Sequence, residues 1–143
     1  MNKGTVMLIE DAAIQMADKF RVAEEKVAAV RGSFTLFGLF KQEKGRWDLV
    51  VSAPWLKTDF EGTQEIIILL RDQMRVEDWD LIGAVFPLEP SASYVRWITS
   101  RYRTEHKTIE LDRALINSVP ITHAFLITSK PLPASVAAEP VAA

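Results

Sequence analysis

Residues 31–57 read RGSFTLFGLFKQEKGRWDLVVSAPWLK, and apolar residues alternate along both arms of this stretch as they do in half-buried strands. Phe34, Leu36, Gly38 and Phe40 share one face of the first arm. Trp47, Leu49, Val51, Ala53 and Trp55 share one face of the second. The pattern predicts a central hairpin over 31–56. Both apolar faces meet only if paired residue numbers sum to an odd value, as when Arg46 pairs with Lys41 or with Glu43. Either loop leaves Gly45 where a positive φ is needed, which a Cβ would penalise. A one-residue slip would turn Phe34, Leu36 and Phe40 away from Trp47, Leu49 and Val51, so the apolar pattern sets the register. The opposite face mixes Ser33, Thr35 and Lys41 with Phe37, Leu39 and Val50, which predicts partial cover by another element or a partner chain. Pro54 ends the second arm or leaves its end on an edge.

Upstream, Val6, Ile9, Ala13, Met16, Phe20, Ala23 and Val27 recur at the spacing of one helical face, with no proline or glycine between Thr5 and Val30. A long amphipathic helix over 6–30 follows, stopped at Gly32. Downstream, Thr58 and Glu61 have capping-box spacing. Phe60, Gln64, Ile67, Leu70 and Met74 then form a stripe, which predicts a second helix over 59–75. The β-branched run at 66–70 would also suit a buried strand. Leu81–Pro87 is a continuous apolar run that reads as a central buried strand. Tyr94, Trp97, Ile98 and Tyr102 have helical spacing, 108–111 alternates weakly, and Ile121, His123, Phe125 and Ile127 alternate on one side of a last strand. Residues 131–143 are rich in proline and alanine and read as a flexible tail.

The order of these elements predicts one α+β domain over 1–130. Its sheet is mostly antiparallel, with about four to five strands, and helices 6–30 and 59–75 pack on one face. A chain of 143 residues can bury roughly two-thirds of its unfolded surface, so it needs no staple, and it has no cysteine to supply one. Thiol catalysis, thiolate metal sites and a thiol redox switch are thereby excluded. No stretch approaches the ~18 apolar residues of a membrane helix, and the N-terminal apolar run is too short for a signal-peptide core. The expectation is a soluble, cytoplasmic chain with no membrane partner.

The motif search argues against several chemistries. Asp48 and Lys57 are the beginnings of a metal-dependent nuclease site, but Trp55 stands where the second acid is needed. His106 and His123 lack zinc-site spacing, and no nucleophile elbow or glycine-rich phosphate loop is present. Trp47 and Trp55, ~26 Å apart on a strand, read as core anchors at two ends of a sheet. No catalytic residue, metal ligand or cofactor is assigned.

The strongest functional signal is 94–107, YVRWITSRYRTEHK, in which Tyr94, Trp97 and Tyr102 interleave with Arg96, Arg101, Arg103 and Lys107. This composition serves three purposes in proteins. It can be an amphipathic helix with its rings buried, a protein-interface hot spot, or a basic-aromatic surface for nucleic acid or phosphorylated ligands. The net charge of −2 weighs against a general affinity for polyanions. Tyr94, Arg96, Trp97, Arg101, Arg103 and Lys107 are the candidate binding residues. The leading expectation is a non-enzymatic interaction module that binds itself, as a homodimer, or another protein. Nucleic-acid or phosphorylated-ligand binding is the alternative.

Overall fold

The computed structural model describes residues 2–41 and 46–131, with side chains from Ala12 onward. Its elements are α1 (Asn2–Arg31), β1 (Leu36–Lys41), β2 (Trp47–Ser52), α2 (Phe60–Arg71), a short 3-10 helix (Val76–Trp79), β3 (Ile82–Pro87), α3 (Ser93–Arg101), β4 (Ile109–Ile116) and β5 (Val119–Ser129). The five strands form one sheet in the order β3-β2-β1-β5-β4. Every neighbouring pair is antiparallel except β2 and β3, which run parallel through the α2 crossover. The fold is therefore α+β with a mostly antiparallel sheet built on the β1–β2 hairpin. Loop residues Gln42–Gly45, and with them the conformation expected of Gly45, lie outside the described residues, as does the expected tail after Pro131.

Helices α1 and α2 cover one face. Ala13, Met16, Ala17, Phe20, Ala23 and Val27 of α1, with Ile66 and Leu70 of α2, bury against Phe37, Leu39, Trp47, Leu49, Val51, Phe125 and Ile127 of the sheet. Helix α3 covers the other, where Val95 and Ile98 pack on Leu36, Phe40, Val50, Ile116, Ile121, Ala124 and Leu126. The second apolar face of the hairpin is thus closed from within the chain.

The two-sided cover corrects the expected register. Leu36 pairs with Ser52, Phe37 with Val51 and Lys41 with Trp47, so the paired numbers sum to an even value. Phe37 and Leu39, rather than Leu36 and Phe40, share the face of Trp47, Leu49 and Val51. Apolar alternation identifies a face only when one side is wet. Here both sides are dry: Leu36 and Phe40 face α3, and Phe37 and Leu39 face α1.

Further differences have local causes. Leu81–Pro87 is not a central strand: β3 is a partly exposed edge strand, consistent with Pro87 at its end. Helix α2 starts after Asp59, whose side chain accepts from the Gly62 N–H at 3.0 Å, in place of the expected Thr58 cap. Phe60 is exposed and Ile66 is buried, which moves the buried stripe of α2 from the expected one. On β4, Arg113 adopts φ 53, and the inward apolar positions change from Ile109 and Leu111 to Ala114 and Ile116 across it. Opposite this break, Ile121 packs with the α3 side, away from His123, Phe125 and Ile127. Trp55 anchors one end of the hairpin as expected. Its Nε1 donates to Gly32 O at 3.0 Å, and its ring meets Phe34 edge-on at 5.3 Å. Among the described residues no helix is long and apolar enough to cross a membrane.

Candidate functional site: a cleft at the end of the sheet

One row of residues crosses four strands at the open end of the α1 face. Trp47 on β2 pairs with Lys41 on β1, Lys41 pairs with His123 on β5, and His123 pairs with Asp112 on β4. The next row inward is Leu49, Leu39, Phe125 and Glu110. Because strand side chains alternate with a period of two, the two rows lie on the same face, one step apart. Above them pass Ala12, Ala13 and Ile14 of α1. The small alanines leave space that larger residues would fill. The resulting cleft has a volume of about 670 Å³ and is also lined by Leu81, Arg113 and Thr122.

Its floor is aromatic. Trp47 and Phe125 stack with centroids 5.2 Å apart at 30°, and the His123 ring lies 5.0 Å from Phe125 and 5.6 Å from Trp47. Lys41 extends over this floor with its Nζ 6.0 Å from the Trp47 centroid, a cation–π approach. Among the described residues Lys41 and Arg113 have no carboxylate within ion-pair distance. At the outer wall, His123 Nε2 lies 2.8 Å from Glu110 Oε2. Nε2 has no hydrogen-bond partner among the described residues, so the contact with Glu110 is one of charge alone. Glu110 and Asp112 both stand on the edge strand, where inward or flanking charges also discourage pairing with another sheet.

Helix α3, which carries the first part of the expected binding stretch, lies on the opposite face of the sheet. Arg96 and Arg101 on it are exposed, as are Arg103 and Lys107 in the connection to β4. The rings are not. Tyr94 is half-buried with its ring edge-on to Phe40 at 6.1 Å, and burial together with the neighbouring Asp48 pushes its hydroxyl up to about 12. Arg101 lies over the half-buried Trp97 with its guanidinium carbon 4.0 Å from the ring centroid, and donates to Trp97 O at 3.2 Å. One face of that indole is therefore taken by the chain itself. Asp48, whose carboxyl burial pushes up, belongs to this α3 side, while Lys57 pairs with Glu61 at 3.3 Å beyond the strand. Asp48 and Lys57 therefore do not form a common site. Among the described residues no group of three or more His, Asp or Glu is placed to hold a metal ion.

A second polar cluster ties α1 to β5. Glu24 has no exposed surface; its Oε1 lies 2.6 Å from His106 Nδ1, and its Oε2 accepts from Thr128 Oγ1 at 2.8 Å. The His106 N–H donates to the same Thr128 hydroxyl at 3.1 Å, from a backbone with φ 55. Burial raises the Glu24 carboxyl above its usual range, against the lowering pull of His106 and Thr128. Both Glu24 oxygens and the Thr128 hydroxyl are spent within this cluster, so it reads as a clamp.

Reasoning from sequence singled out neither Lys41 nor Glu110, Asp112 and Arg113 as a group. The only signal was the weak alternation of 108–111, and it needs the strand pairing with β5 to become part of a site. No family model, curated protein or solved structure matches this chain.

Proposed function

We propose that this chain is a small binding domain, and that its ligand is a compact organic molecule with an apolar body and an anionic group, held in the cleft beneath the N-terminal half of α1. The observation that carries this reading is the cross-strand row Trp47–Lys41–His123–Asp112. It sets an aromatic floor beside a cation that has no carboxylate partner among the described residues. The cleft volume falls in the range of about 300–1,000 Å³ usual for small-molecule sites, and those sites combine apolar walls with a few convergent polar groups. Placement on strands favours the reading further, because strands hold side chains more rigidly than loops do. The positive charge lies inside the row, on Lys41, whereas Glu110 and Asp112 lie on the edge strand. An anionic ligand end therefore meets Lys41 and leaves the carboxylates toward water.

The test uses 8-anilinonaphthalene-1-sulfonate, an aromatic body with a sulfonate, titrated into the native protein and followed by fluorescence. Saturable one-site binding is expected, weakened about tenfold or more in Lys41→Ala, since a charge-assisted contact contributes about 1.5–3 kcal/mol. Absence of saturable binding, or equal affinity in Lys41→Ala, contradicts the reading. The alternative, nucleic-acid or phosphorylated-ligand binding along 94–107, rests on its exposed arginines. The burial of Tyr94 and the covered face of Trp97 favour charge pairing over base stacking at that surface.

A further inference from the structure

At the β4 edge of the cleft the strand alternation breaks. Glu110 pairs with Phe125 and Asp112 with His123, and all four line the cleft. Two residues on, Ala114 pairs with Ile121, yet both pack on the α3 side. Successive side chains of a regular strand point to opposite faces, so Asp112 and Ala114 would share one. The change of face falls at Arg113 and Thr122, and both of these also line the cleft. Asp112 and Arg113, neighbours in sequence, therefore border one cavity, which an unbroken strand does not allow. Arg113 reaches this place from φ 53, a left-handed conformation that a Cβ disfavours. No contact of its side chain offsets that strain. Arg113 is exposed and has no ion pair or side-chain hydrogen bond among the described residues. Breaks and strained residues of this kind re-aim side chains beside binding sites. Thr122 Oγ1 donates to Lys41 O at 3.0 Å, which ties the break to the strand that carries the cleft's other unpaired cation.

We propose that Arg113 is the second anion-binding residue of the cleft, and that the ligand is an aromatic dicarboxylate with one acidic group for each cation. The proposal rests on the reading of the cleft as a small-molecule site. Lys41 on β1 and Arg113 on β4 stand two strands apart, roughly 10 Å between backbones at ordinary sheet spacing. One carboxylate meets Lys41 above Trp47, and the aromatic body crosses the rings of His123 and Phe125. The other carboxylate meets Arg113, whose planar guanidinium can hold it through two parallel hydrogen bonds. The acids on β4 weaken this arrangement without reversing it. Glu110 is in charge contact with His123 at 2.8 Å. Asp112 is exposed beside Arg113 and opposes the second carboxylate, so its removal strengthens binding.

The experiment is calorimetric titration of the full chain with 2-naphthoate and with 2,6-naphthalenedicarboxylate. The dicarboxylate is expected to bind about tenfold or more tightly than the monocarboxylate, as a second charge-assisted contact implies. Arg113→Gln brings the dicarboxylate down to the affinity of the monocarboxylate and leaves the monocarboxylate unchanged, which also shows that the variant is folded. Asp112→Asn tightens the dicarboxylate alone. Arg113→Gly loses the same preference while its urea midpoint rises, because glycine adopts φ 53 without strain. Naphthoate that does not bind, or binds equally well to Lys41→Ala, overturns the cleft reading and this proposal together. Naphthoate binding that depends on Lys41, with a dicarboxylate no tighter or a preference that survives Arg113→Gln, overturns this proposal alone. So does a midpoint that does not rise in Arg113→Gly. Tighter binding of 6-(aminomethyl)-2-naphthoate than of the dicarboxylate overturns it too, because Asp112 would then receive the far end of the ligand.

Discussion

His106 Nδ1 lies 2.6 Å from Oε1 of Glu24, a carboxylate with no exposed surface in the C-terminal third of α1. The contact joins residues 82 positions apart and clamps the α3–β4 connection onto the helix. Glu105 flanks the imidazole, with its Oε2 3.8 Å from Nε2, and is itself ion-paired with Lys130. The clamp therefore runs from α1 through the loop to the end of β5. Thr104 and Ser129 extend it with a reciprocal pair of backbone hydrogen bonds at 3.0 and 2.8 Å.

The raised Glu24 carboxyl gives this clamp a signed pH dependence. A group whose folded pKa exceeds its unfolded value stabilises the fold below the unfolded value, here 4.5, and loses that contribution as pH rises through the folded value. Wild type should therefore lose stability relative to Glu24→Gln as pH climbs above 4.5. Denaturant midpoints of the two proteins across the acid to neutral range check this. Parallel curves refute it. Glu24→Ala, which strands the Thr128 hydroxyl and leaves the His106 ring without its partner, should cost about 2–3 kcal/mol.

Gly62 has a packing role that its position in a helix conceals. A Cβ built there would stand 1.8 Å from the carbonyl oxygen of Lys57, a backbone atom that cannot swing aside. Gly62→Ala should destabilise the protein by about 2–3 kcal/mol despite alanine's better helix propensity. Urea denaturation measures it, and a neutral or stabilising result would mean that the approach of Lys57 to α2 is looser than described.

The β4–β5 turn should yield the opposite sign. Asn117 and Ser118 take φ 49 and 71, so both central residues of this two-residue hairpin loop are left-handed. Asparagine tolerates that region, but serine is strained in it, and glycine is the usual choice at the second position. Ser118→Gly should raise stability by about 0.5–1 kcal/mol, read as a higher denaturation midpoint with an unchanged slope. A loss of stability contradicts the turn geometry.

Much of the architecture was legible in the sequence because local patterns agreed with the tertiary fold. The α1 stripe, the strand arms around residues 36–41 and 47–52, and helix 93–101 all follow apolar periods. Three features escaped for definite physical reasons. The hairpin register was misread because Phe37 and Leu39, Leu36 and Phe40 are all apolar, and alternation cannot say which set faces which helix. Arg113 interrupts β4 with a left-handed residue that no glycine or asparagine announces, and this sends Ile121 to the other face. Glu24 occupies the buried stripe between Phe20 and Val27, and its burial makes sense only once His106 and Thr128 are seen beside it. The cleft is a still less local feature. Trp47, Lys41, His123 and Asp112 come from four strands, and no spacing along the chain connects them.

The cleft proposal meets its most direct test in a nitrogen-15 correlation spectrum of the native protein titrated with 8-anilinonaphthalene-1-sulfonate. The proposal predicts progressive, saturable shifts at Lys41, the Trp47 indole, Asp112, Thr122 and His123, with α1 residues Ala12 to Ile14 moving in step. Saturable shifts confined to the exposed α2 residues Phe60 and Ile68, or to Arg96 and Arg101 on α3, would place the binding surface elsewhere and contradict it.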